Sequence, residues 1–299
     1  MAVYIPPLNR RTFLKTTSLA ATGLMLGCTD SITGSYSDGA EVPVDPNYFA
    51  LLADTHIDHP KLAAHEYYTA DNLEMAVKRI LNNPERLPAG VIINGDFGNS
   101  RATADQYGFA SWILKPLSEA GIPIHITIGN HDLRDQFFQI FEDYLVKDGP
   151  VANRHVGMIE TPNVYMLLTD TSEGMSTPGK FHDHQLQWIN ESLHTYNDKP
   201  VLIFGHHPAQ DLVDFDAFYN MVKPHQHAKA YIAGHRHRME LNMKDDFHLL
   251  MQPCVRGTGQ TTPIGFFHAQ IHSDRLDFVV DNINRNSHWH GRRYSLAYR

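Results

Sequence analysis

The chain has 299 residues, which is enough for one large domain or two small ones. Apolar residues make up 42% and aromatic residues 10%, as is typical of a globular protein with a buried core. The formal net charge is −8, and residues 1–27 hold three basic residues and no acidic one, so the remainder carries −11. A field of that sign does not attract nucleic acid, and we expect no nucleic-acid partner. The 20 histidines favour a metal-binding protein.

The first 28 residues have the pattern of an export signal. Asn9-Arg10-Arg11-Thr12-Phe13-Leu14-Lys15 precedes a mildly apolar stretch, Leu19 to Leu26, that is too short to span a bilayer as a mature helix. The paired arginines resemble a twin-arginine signal, which implies export by the twin-arginine translocase to the periplasm or the cell envelope. An ordinary secretory leader that happens to contain two arginines is the alternative.

Cys28 ends a stretch, Leu24 to Cys28, that resembles a bacterial lipoprotein cleavage box, with Met25 as an imperfect match. A lipid on Cys28 would anchor the protein to a membrane, and loss of Cys28 with the leader is the alternative. In either case Cys254 has no intramolecular disulfide partner, because the chain has only two cysteines. Residues 29–47, rich in Ser, Gly, Pro and Asp, are predicted to form a flexible linker before a domain at 48–299.

Three short apolar runs in the first half of the domain each end in polar residues. Tyr48 to Ala53 is followed by Asp54-Thr55-His56, Val91 to Ile93 by Asn94-Gly95-Asp96, and Ile124 to Ile128 by Gly129-Asn130-His131-Asp132. Continuous apolar runs predict strands buried on both faces, and ligands bind at the carboxyl ends of such strands. Each polar group alone is equally consistent with a solvated turn. Their repetition favours a metal site.

Helices are predicted between these strands, which gives an α/β pattern. An apolar stripe at helical spacing runs from Leu73 to Leu81, after the capping pair Asp71 and Glu74. Segments around 107–117, 137–141 and 182–196 are predicted to form further helices, and 164–168 a further strand.

Two later predicted strands end in histidine. Val201 to Phe204 runs into Gly205-His206-His207-Pro208, and Ala230 to Ala233 runs into Gly234-His235-Arg236-His237. Alternate residues of an extended segment share a face, so a His-x-His segment brings two imidazoles to one transition metal ion. Further strands are predicted at 247–251, 266–272 and 275–280, where they would close a second sheet, and 288–294 is predicted to be an exposed tail or a dimer contact.

These five polar groups, in this order and each after a predicted strand, resemble the motifs of the calcineurin-like metallophosphoesterases over residues 48–240. The resemblance implies an α/β fold, a four-layer αββα sandwich with its metal site at the strand ends. It implies a first divalent metal ion on Asp54, His56 and His237, a second on Asn130, His206 and His235, and Asp96 as the bridge between them. Mn, Fe, Zn and Co all suit this mixture of nitrogen and oxygen ligands.

The resemblance also implies the reaction, which is hydrolysis of a small phosphoester. Two ions clamp the phosphoryl oxygens, and a metal-bridging hydroxide attacks phosphorus in line. His131 and Asp132 belong to the implied catalytic group, with His131 as the general acid or as a donor to the phosphate.

Sequence differences from two branches of the family restrict the class of substrate that we expect. Purple acid phosphatases have a Tyr three residues after the bridging Asp, and the serine/threonine protein phosphatases have an Asp there, whereas this chain has Asn99. The chain then most resembles small bacterial phosphodiesterases, with Asn99, Arg134 and Arg236 as candidate substrate-binding residues and Arg256 as a further arginine to consider. A surface ion pair is the alternative for each arginine. For function, the alternatives are a phosphomonoesterase or nucleotidase with the same site, and a non-catalytic binding protein with this fold.

Overall fold

The computed structural model describes residues 42–58, 69–99, 101–141, 150–175, 177–257 and 262–299. The predicted export signal, Cys28 and residues 29–41 of the predicted linker lie outside the described residues. Within these described ranges, no helix has both the length and the apolar character that a membrane span requires.

Twelve strands and five α-helices make up the described part of the chain. The strands are β1 (Val44–Leu52), β2 (Leu87–Asn94), β3 (Ile124–Thr127), β4 (Gly157–Glu160), β5 (Tyr165–Leu168), β6 (Val201–Phe204), β7 (Ala228–Ala233), β8 (Glu240–Lys244), β9 (Phe247–Met251), β10 (Gly265–Ile271), β11 (Arg275–Asn282) and β12 (Arg293–Ala297). The helices are α1 (Thr69–Leu81), α2 (Ala104–Glu119), α3 (Arg134–Ile140), α4 (Asp183–Thr195) and α5 (Phe215–Val222).

The strands form two mixed six-stranded sheets. The first has the order β12-β11-β10-β1-β2-β3, in which β1 to β3 are parallel and β10 to β12 are antiparallel. The second has the order β4-β5-β6-β7-β9-β8, in which β5, β6, β7 and β9 are parallel and β4 and β8 are antiparallel edges. Parallel neighbours need crossover connections, and α1, α2, α4 and α5 lie in these connections.

Three apolar clusters show how the layers pack. One joins the outer face of the first sheet to α1, α2 and α3, with Leu73 among its members. A second lies between the sheets and brings Ile92 of the first against Phe204 of the second. A third joins the outer face of the second sheet to α4 and α5 through Ile189 and Phe218. The predicted four-layer αββα sandwich is confirmed.

The C-terminal part of the chain differs from the sequence prediction. β10 pairs with β1 and with β11, so both belong to the first sheet and do not close the second. Residues 288–294 are not a free tail, because they lead into β12, and Trp289 packs against the apolar cluster between the sheets. Alternation along a strand identifies the strand but not its neighbour, which is chosen by residues far away in sequence.

Other elements begin earlier than predicted or are missed by the sequence analysis. β1 begins at Val44, four residues before the predicted start, inside the predicted linker. The pattern also gives no sign of β4, β8 or α5. β8 is an edge strand with most of its residues exposed, so it lacks the apolar run that marks a buried strand. α5 has only eight residues, which is too few for a clear helical period.

The polar strand ends from both sheets meet at one edge of the sandwich. We call this the ligand edge, and it comprises residues 53–58, 94–99, 129–134, 169–173, 205–208 and 234–238. The parallel strands begin at the other side of the sandwich, which we call the opposite edge. Because both sheets end at the ligand edge, side chains from either sheet can act on one ligand.

Candidate metal centre

Backbone strain concentrates at the ligand edge. Nine non-glycine residues in the described ranges have positive φ, and five of them are predicted ligands with φ between 45° and 74°: Asp54, His56, Asp96, His235 and His237. Each such residue costs about 1–3 kcal/mol, so it persists only where the surrounding structure holds it. The fold therefore fixes these side chains in conformations that ordinary packing would not select.

Two glycines let the loops of the two sheets approach closely. A Cβ at Gly95, whose φ is +76°, would overlap the His206 imidazole. A Cβ at Gly129 would overlap the backbone nitrogen and the carboxylate of Asp96. Asp96 therefore lies tightly between the loop after β3 and the His206 ring from the second sheet.

A first group of candidate ligands comprises Asp54, His56, Asp96 and His237, whose ligand atoms all lie within 4.8 Å of one another. His56 Nε2 lies 3.6 Å from Asp96 Oδ2 and 2.9 Å from His237 Nε2. His237 Nε2 lies 3.5 Å from Asp54 Oδ1. The group takes residues from both sheets, and the His235 backbone N–H joins the two sides by donating to the Asp54 carboxylate at 3.0 Å.

A second group comprises Asp96, His206 and His235, again with ligand atoms within 4.8 Å of one another. His206 Nε2 lies 3.2 Å from Asp96 Oδ2, and its Nδ1 lies 3.0 Å from the carbonyl oxygen of Asn94. Because a carbonyl only accepts, Nδ1 donates to it, which leaves the Nε2 lone pair free for a metal ion. Asp96 belongs to both groups.

Asn130 provides a direct test of whether a metal ion fits. Its Oδ1 atom is buried and has no hydrogen-bond partner among the described residues. An unpaired buried amide oxygen costs about 1–3 kcal/mol, and a cation bound there would remove that cost. The buried carboxylates, imidazoles and amide together form the mixed oxygen and nitrogen set that suits divalent transition metals. The residues therefore fit divalent metal ions.

The electrostatics favour the neutral form of two histidine ligands, His56 and His235, but not of His206. Burial lowers the pKa of His56 to about 3, although Asp96 and Asp54 act in the other direction. Burial likewise lowers the pKa of His235 to about 4. Burial disfavours the charged forms of both Asp96 and His206, but their mutual attraction outweighs this, so the pKa of Asp96 is lowered and that of His206 is raised. Neutral imidazole is the form that binds metal, so His56 and His235 are ready to ligate at neutral pH.

His131 and Asp132 are adjacent in sequence but differ in environment. The His131 side chain is 29% exposed, and its Nε2 lies 4.0 Å from Asp96 Oδ2. Asp132 is buried and accepts hydrogen bonds from the backbone N–H groups of Phe97, Gly98 and Gly129 at 2.9–3.1 Å, and from the Tyr107 hydroxyl at 3.0 Å. Burial raises the pKa of Asp132 to about 6. His131 therefore faces solvent at the metal groups, whereas Asp132 joins the loops after β2 and β3.

The predicted substrate-binding residues are all engaged by acidic side chains. Arg134 binds buried Asp170 at the end of β5 through Nε at 3.0 Å and Nη2 at 2.6 Å. Arg236 forms a two-pronged ion pair with Asp211. Asn99 donates to Asp58 Oδ2 at 2.9 Å. Arg236 thus makes a surface ion pair, which was the alternative to substrate binding, whereas Arg134 pairs with a fully buried carboxylate.

Asn94 and Asp170 were not among the predicted site residues, although Asn94 lies in the Asn94-Gly95-Asp96 motif and Asp170 follows the strand predicted at 164–168. Asn94 is the last residue of β2 and is fully buried, and Asp170 follows β5 and is also fully buried. The signal that identifies such residues is their position, since a buried polar residue at a strand end needs partners. Which partners they find depends on the second sheet, and sequence spacing does not reveal it.

Comparisons with known proteins agree with this geometry. A family model described as calcineurin-like phosphoesterase matches residues 48–239. A probable glycerophosphodiester phosphodiesterase of Arcobacter nitrofigilis is 26% identical over 205 residues, which are 64% of this chain and 72% of that protein. A 3′,5′-cyclic adenosine monophosphate phosphodiesterase of Pseudomonas aeruginosa is 23% identical over 258 residues, 78% of this chain and 89% of that protein.

A solved structure shares the fold. The dimetal phosphatase of Danio rerio superposes with a TM-score of 0.66 at 18% identity, over 85% of this chain and 100% of that one. The family match covers more than half of the chain and includes all seven predicted ligands. This chain therefore belongs to the calcineurin-like phosphoesterase family, and it is a metal-dependent phosphoester hydrolase.

Proposed function

We propose that this protein is an exported phosphodiesterase that uses two divalent metal ions. The observation that carries the two-metal part is the position of Asp96, whose carboxylate belongs to both ligand groups. Its Oδ2 faces His56 at 3.6 Å from one group and His206 at 3.2 Å from the other. A carboxylate oxygen carries two lone pairs, so Oδ2 could serve one ion in each group. Asp54, His56 and His237 would complete one site, and Asn130, His206 and His235 the other.

The residues of the chain have separate tasks in the proposed reaction. When bound, the two ions polarise the phosphoryl group and lower the pKa of water for attack on phosphorus. His131, whose side chain is 29% exposed, donates a proton or hydrogen bond to the phosphoester through its imidazole. Asp132 does not contact substrate in this proposal. It positions His131 and Asp96 by holding the loops that carry them.

Preference for diesters is supported by the relatives. The Arcobacter and Pseudomonas proteins are both described as phosphodiesterases, and this chain spans most of the length of each. Asn99 adds support from the sequence, because two other branches of the family have Tyr or Asp at this position. The natural substrate in this proposal is a small phosphodiester, and the ions are drawn from Mn, Fe, Zn and Co.

Metal content and substrate preference test the proposal together. The purified protein is analysed for metal and assayed with bis-p-nitrophenyl phosphate and p-nitrophenyl phosphate. We expect close to two ions per chain and a higher kcat/KM for the diester. A higher kcat/KM for the monoester would contradict the diester preference and indicate a phosphatase. Absence of hydrolysis after reconstitution with Mn, Zn or Fe would contradict the catalytic proposal.

Export is proposed from the sequence of the first 28 residues. Arg10 and Arg11 support a twin-arginine signal, and Cys28 supports lipid attachment at the envelope. Replacing both arginines by lysine is expected to retain the protein in the cytoplasm, as measured by cell fractionation and immunoblotting. Mass spectrometry of the exported protein tests Cys28. An acylated N-terminal cysteine would support the anchor, and a mature chain that begins after Cys28 would contradict it.

A further inference from the structure

Each ligand group takes residues from both sheets. The two sheets must therefore be held in register at the ligand edge. Between the sheets the contacts are apolar, as at Ile92 and Phe204. Apolar contact is non-directional, so it favours close packing without fixing the relative position of the sheets to a fraction of an ångström. Metal ligands need such precision. A directional contact between the sheets is therefore needed near the site.

Asn94 makes that contact. It lies two residues after Ile92, so its side chain points to the same inter-sheet side, and it is fully buried. Its Nδ2 donates to the Ile232 carbonyl of β7 at 3.0 Å and to Gln252 Oε1 at 3.0 Å, both in the second sheet or its connection. Its Oδ1 accepts from the Thr127 hydroxyl of β3 at 2.9 Å. One amide thus joins β2 and β3 to β7.

The partners of Asn94 lead directly to the ligands. The Asn94 carbonyl accepts the bond from His206 Nδ1, and Asp96 follows two residues later. The Ile232 carbonyl also accepts from the Gly205 backbone N–H at 3.1 Å, immediately before His206. The Gln252 backbone N–H donates to the Ala233 carbonyl at 2.7 Å, two residues before His235. Each strand that carries a ligand of the second group is therefore bonded to Asn94 or to one of its partners.

We infer that Asn94 is a positioning residue, which sets the distance between Asp96 of the first sheet and His206 and His235 of the second. This inference rests on the proposed two-metal function. Asn94 does not contact the substrate or the ions. It acts by fixing the ligands of the second group relative to Asp96. Its loss therefore has a larger effect on the affinity of that group for its ion than on the stability of the fold.

A second asparagine supplies the matched control. Asn163 lies at the opposite edge, before β5, and its Nδ2 donates to the Ile271 carbonyl of the first sheet at 2.9 Å. Asn94→Leu therefore removes two side-chain hydrogen bonds across the sheets beside the ligands, and Asn163→Leu removes one far from them. A role in general stability predicts the same metal binding in both variants. A positioning role predicts a difference.

The experiment titrates metal-free protein with Mn²⁺ by calorimetry and records the exchange coupling between two Mn²⁺ ions by electron paramagnetic resonance. We expect Asn94→Leu to raise the Kd of one of the two ions by about tenfold or more and to change the coupling. We expect Asn163→Leu to lower the melting temperature while leaving the Kd and the coupling unchanged. Unchanged Mn²⁺ affinity and coupling in Asn94→Leu would overturn the inference.

Two further measurements apply if Asn94→Leu does not fold or if the wild-type protein binds a single ion. If Asn94→Leu does not fold, Gln252→Leu removes one of the two acceptors of the Asn94 amide and is judged by the same Kd and coupling. Wild-type protein that binds only one Mn²⁺ would refute the two-metal proposal on its own. Asn94 would then be judged by the Kd of that single ion, and a value unchanged in Asn94→Leu would overturn its positioning role.

Discussion

The two edges of the sandwich use similar residue types in different ways. At the opposite edge, charged groups pair in contact with solvent. Lys199 binds Glu160 at 2.8 Å and Arg86 binds Asp45 at 2.6 Å, with every one of these side chains partly exposed. At the ligand edge, the carboxylates of Asp54 and Asp96 and the imidazoles of His56 and His206 are almost fully buried, and Asp96 faces three histidines.

This difference shows which edge is arranged for function. Exposed ion pairs contribute little to stability but cost little to form. Buried carboxylates, unpaired amide oxygens and left-handed ligand residues each cost free energy, and they gain nothing from folding alone. Natural proteins keep such features where a ligand or a reaction requires them. The contrast between the edges is therefore a physical argument for metal binding that does not depend on any relative.

The largest effect is expected from Asp96→Asn. The amide is uncharged and is a poorer bridge between two cations, so we expect both ions to be lost and hydrolysis to fall to background. Metal analysis and the diester assay measure the two effects. Glu160→Gln removes an acid at the opposite edge and should leave both unchanged. Intact two-metal stoichiometry in Asp96→Asn would refute the bridging role.

His131→Ala is expected to have the next largest effect and to separate catalysis from metal binding. Loss of a general acid lowers kcat by about 10²- to 10⁴-fold. Because His131 is not among the proposed ligands, metal content should remain at the wild-type level. His227→Ala is the control, since His227 donates to the Leu193 carbonyl at the opposite edge. Full activity in a metal-replete His131→Ala enzyme would remove His131 from the mechanism.

Much of the fold was predictable because each buried strand has a recognisable apolar run in its own sequence. The runs before Asp54, Asp96 and Asn130 are continuous and apolar, and the helices between them have clear stripes, so the α/β sandwich followed from the pattern and the resemblance. The placement of β10, β11 and β12 did not follow. Strand partners are selected by contacts between residues more than 200 positions apart, such as Tyr48 opposite Gln270, and no local pattern records them.

The site was predictable because its residues follow one rule, in which a polar group comes directly after an apolar strand. That rule identified the residues of both ligand groups, and the structure brings them together. It could not separate His131 from Asp132, because burial and hydrogen-bond partners decide their roles. It also could not show that Arg134 points to Asp170 or that Asn94 reaches Ile232, since both contacts cross between the sheets.

Gly95→Ala tests the close approach at the ligand edge. Alanine there must adopt a φ of +76° and place its Cβ against the His206 ring, so the loop has to move. We expect the free energy of unfolding to fall by about 1–3 kcal/mol and metal affinity to fall with it. Gly291→Ala is the matched control, because Gly291 has a φ of +79° and no heavy atom within 4 Å of an added Cβ.

Chemical denaturation and metal titration of the two glycine variants give the answer. Both should lose some stability from the positive φ alone. Only Gly95→Ala should lose metal affinity as well. Equal metal affinity in the two variants would show that the ligand edge tolerates displacement of its loops. The two edges would then differ less than the buried ligands indicate.

Arg236→Ala is expected to have the smallest effect, although Arg236 stands between two predicted ligands in sequence. Its guanidinium is bound by Asp211 and its side chain is 39% exposed, so the pair resembles those of the opposite edge. We expect the free energy of unfolding to change by less than about 1 kcal/mol, as for Arg86→Ala. We also expect KM for the diester to stay within about twofold of the wild-type value. A tenfold rise in KM with unchanged stability would instead mean that Arg236 leaves Asp211 to bind the phosphate, and that exposed charge at this edge serves the substrate as well.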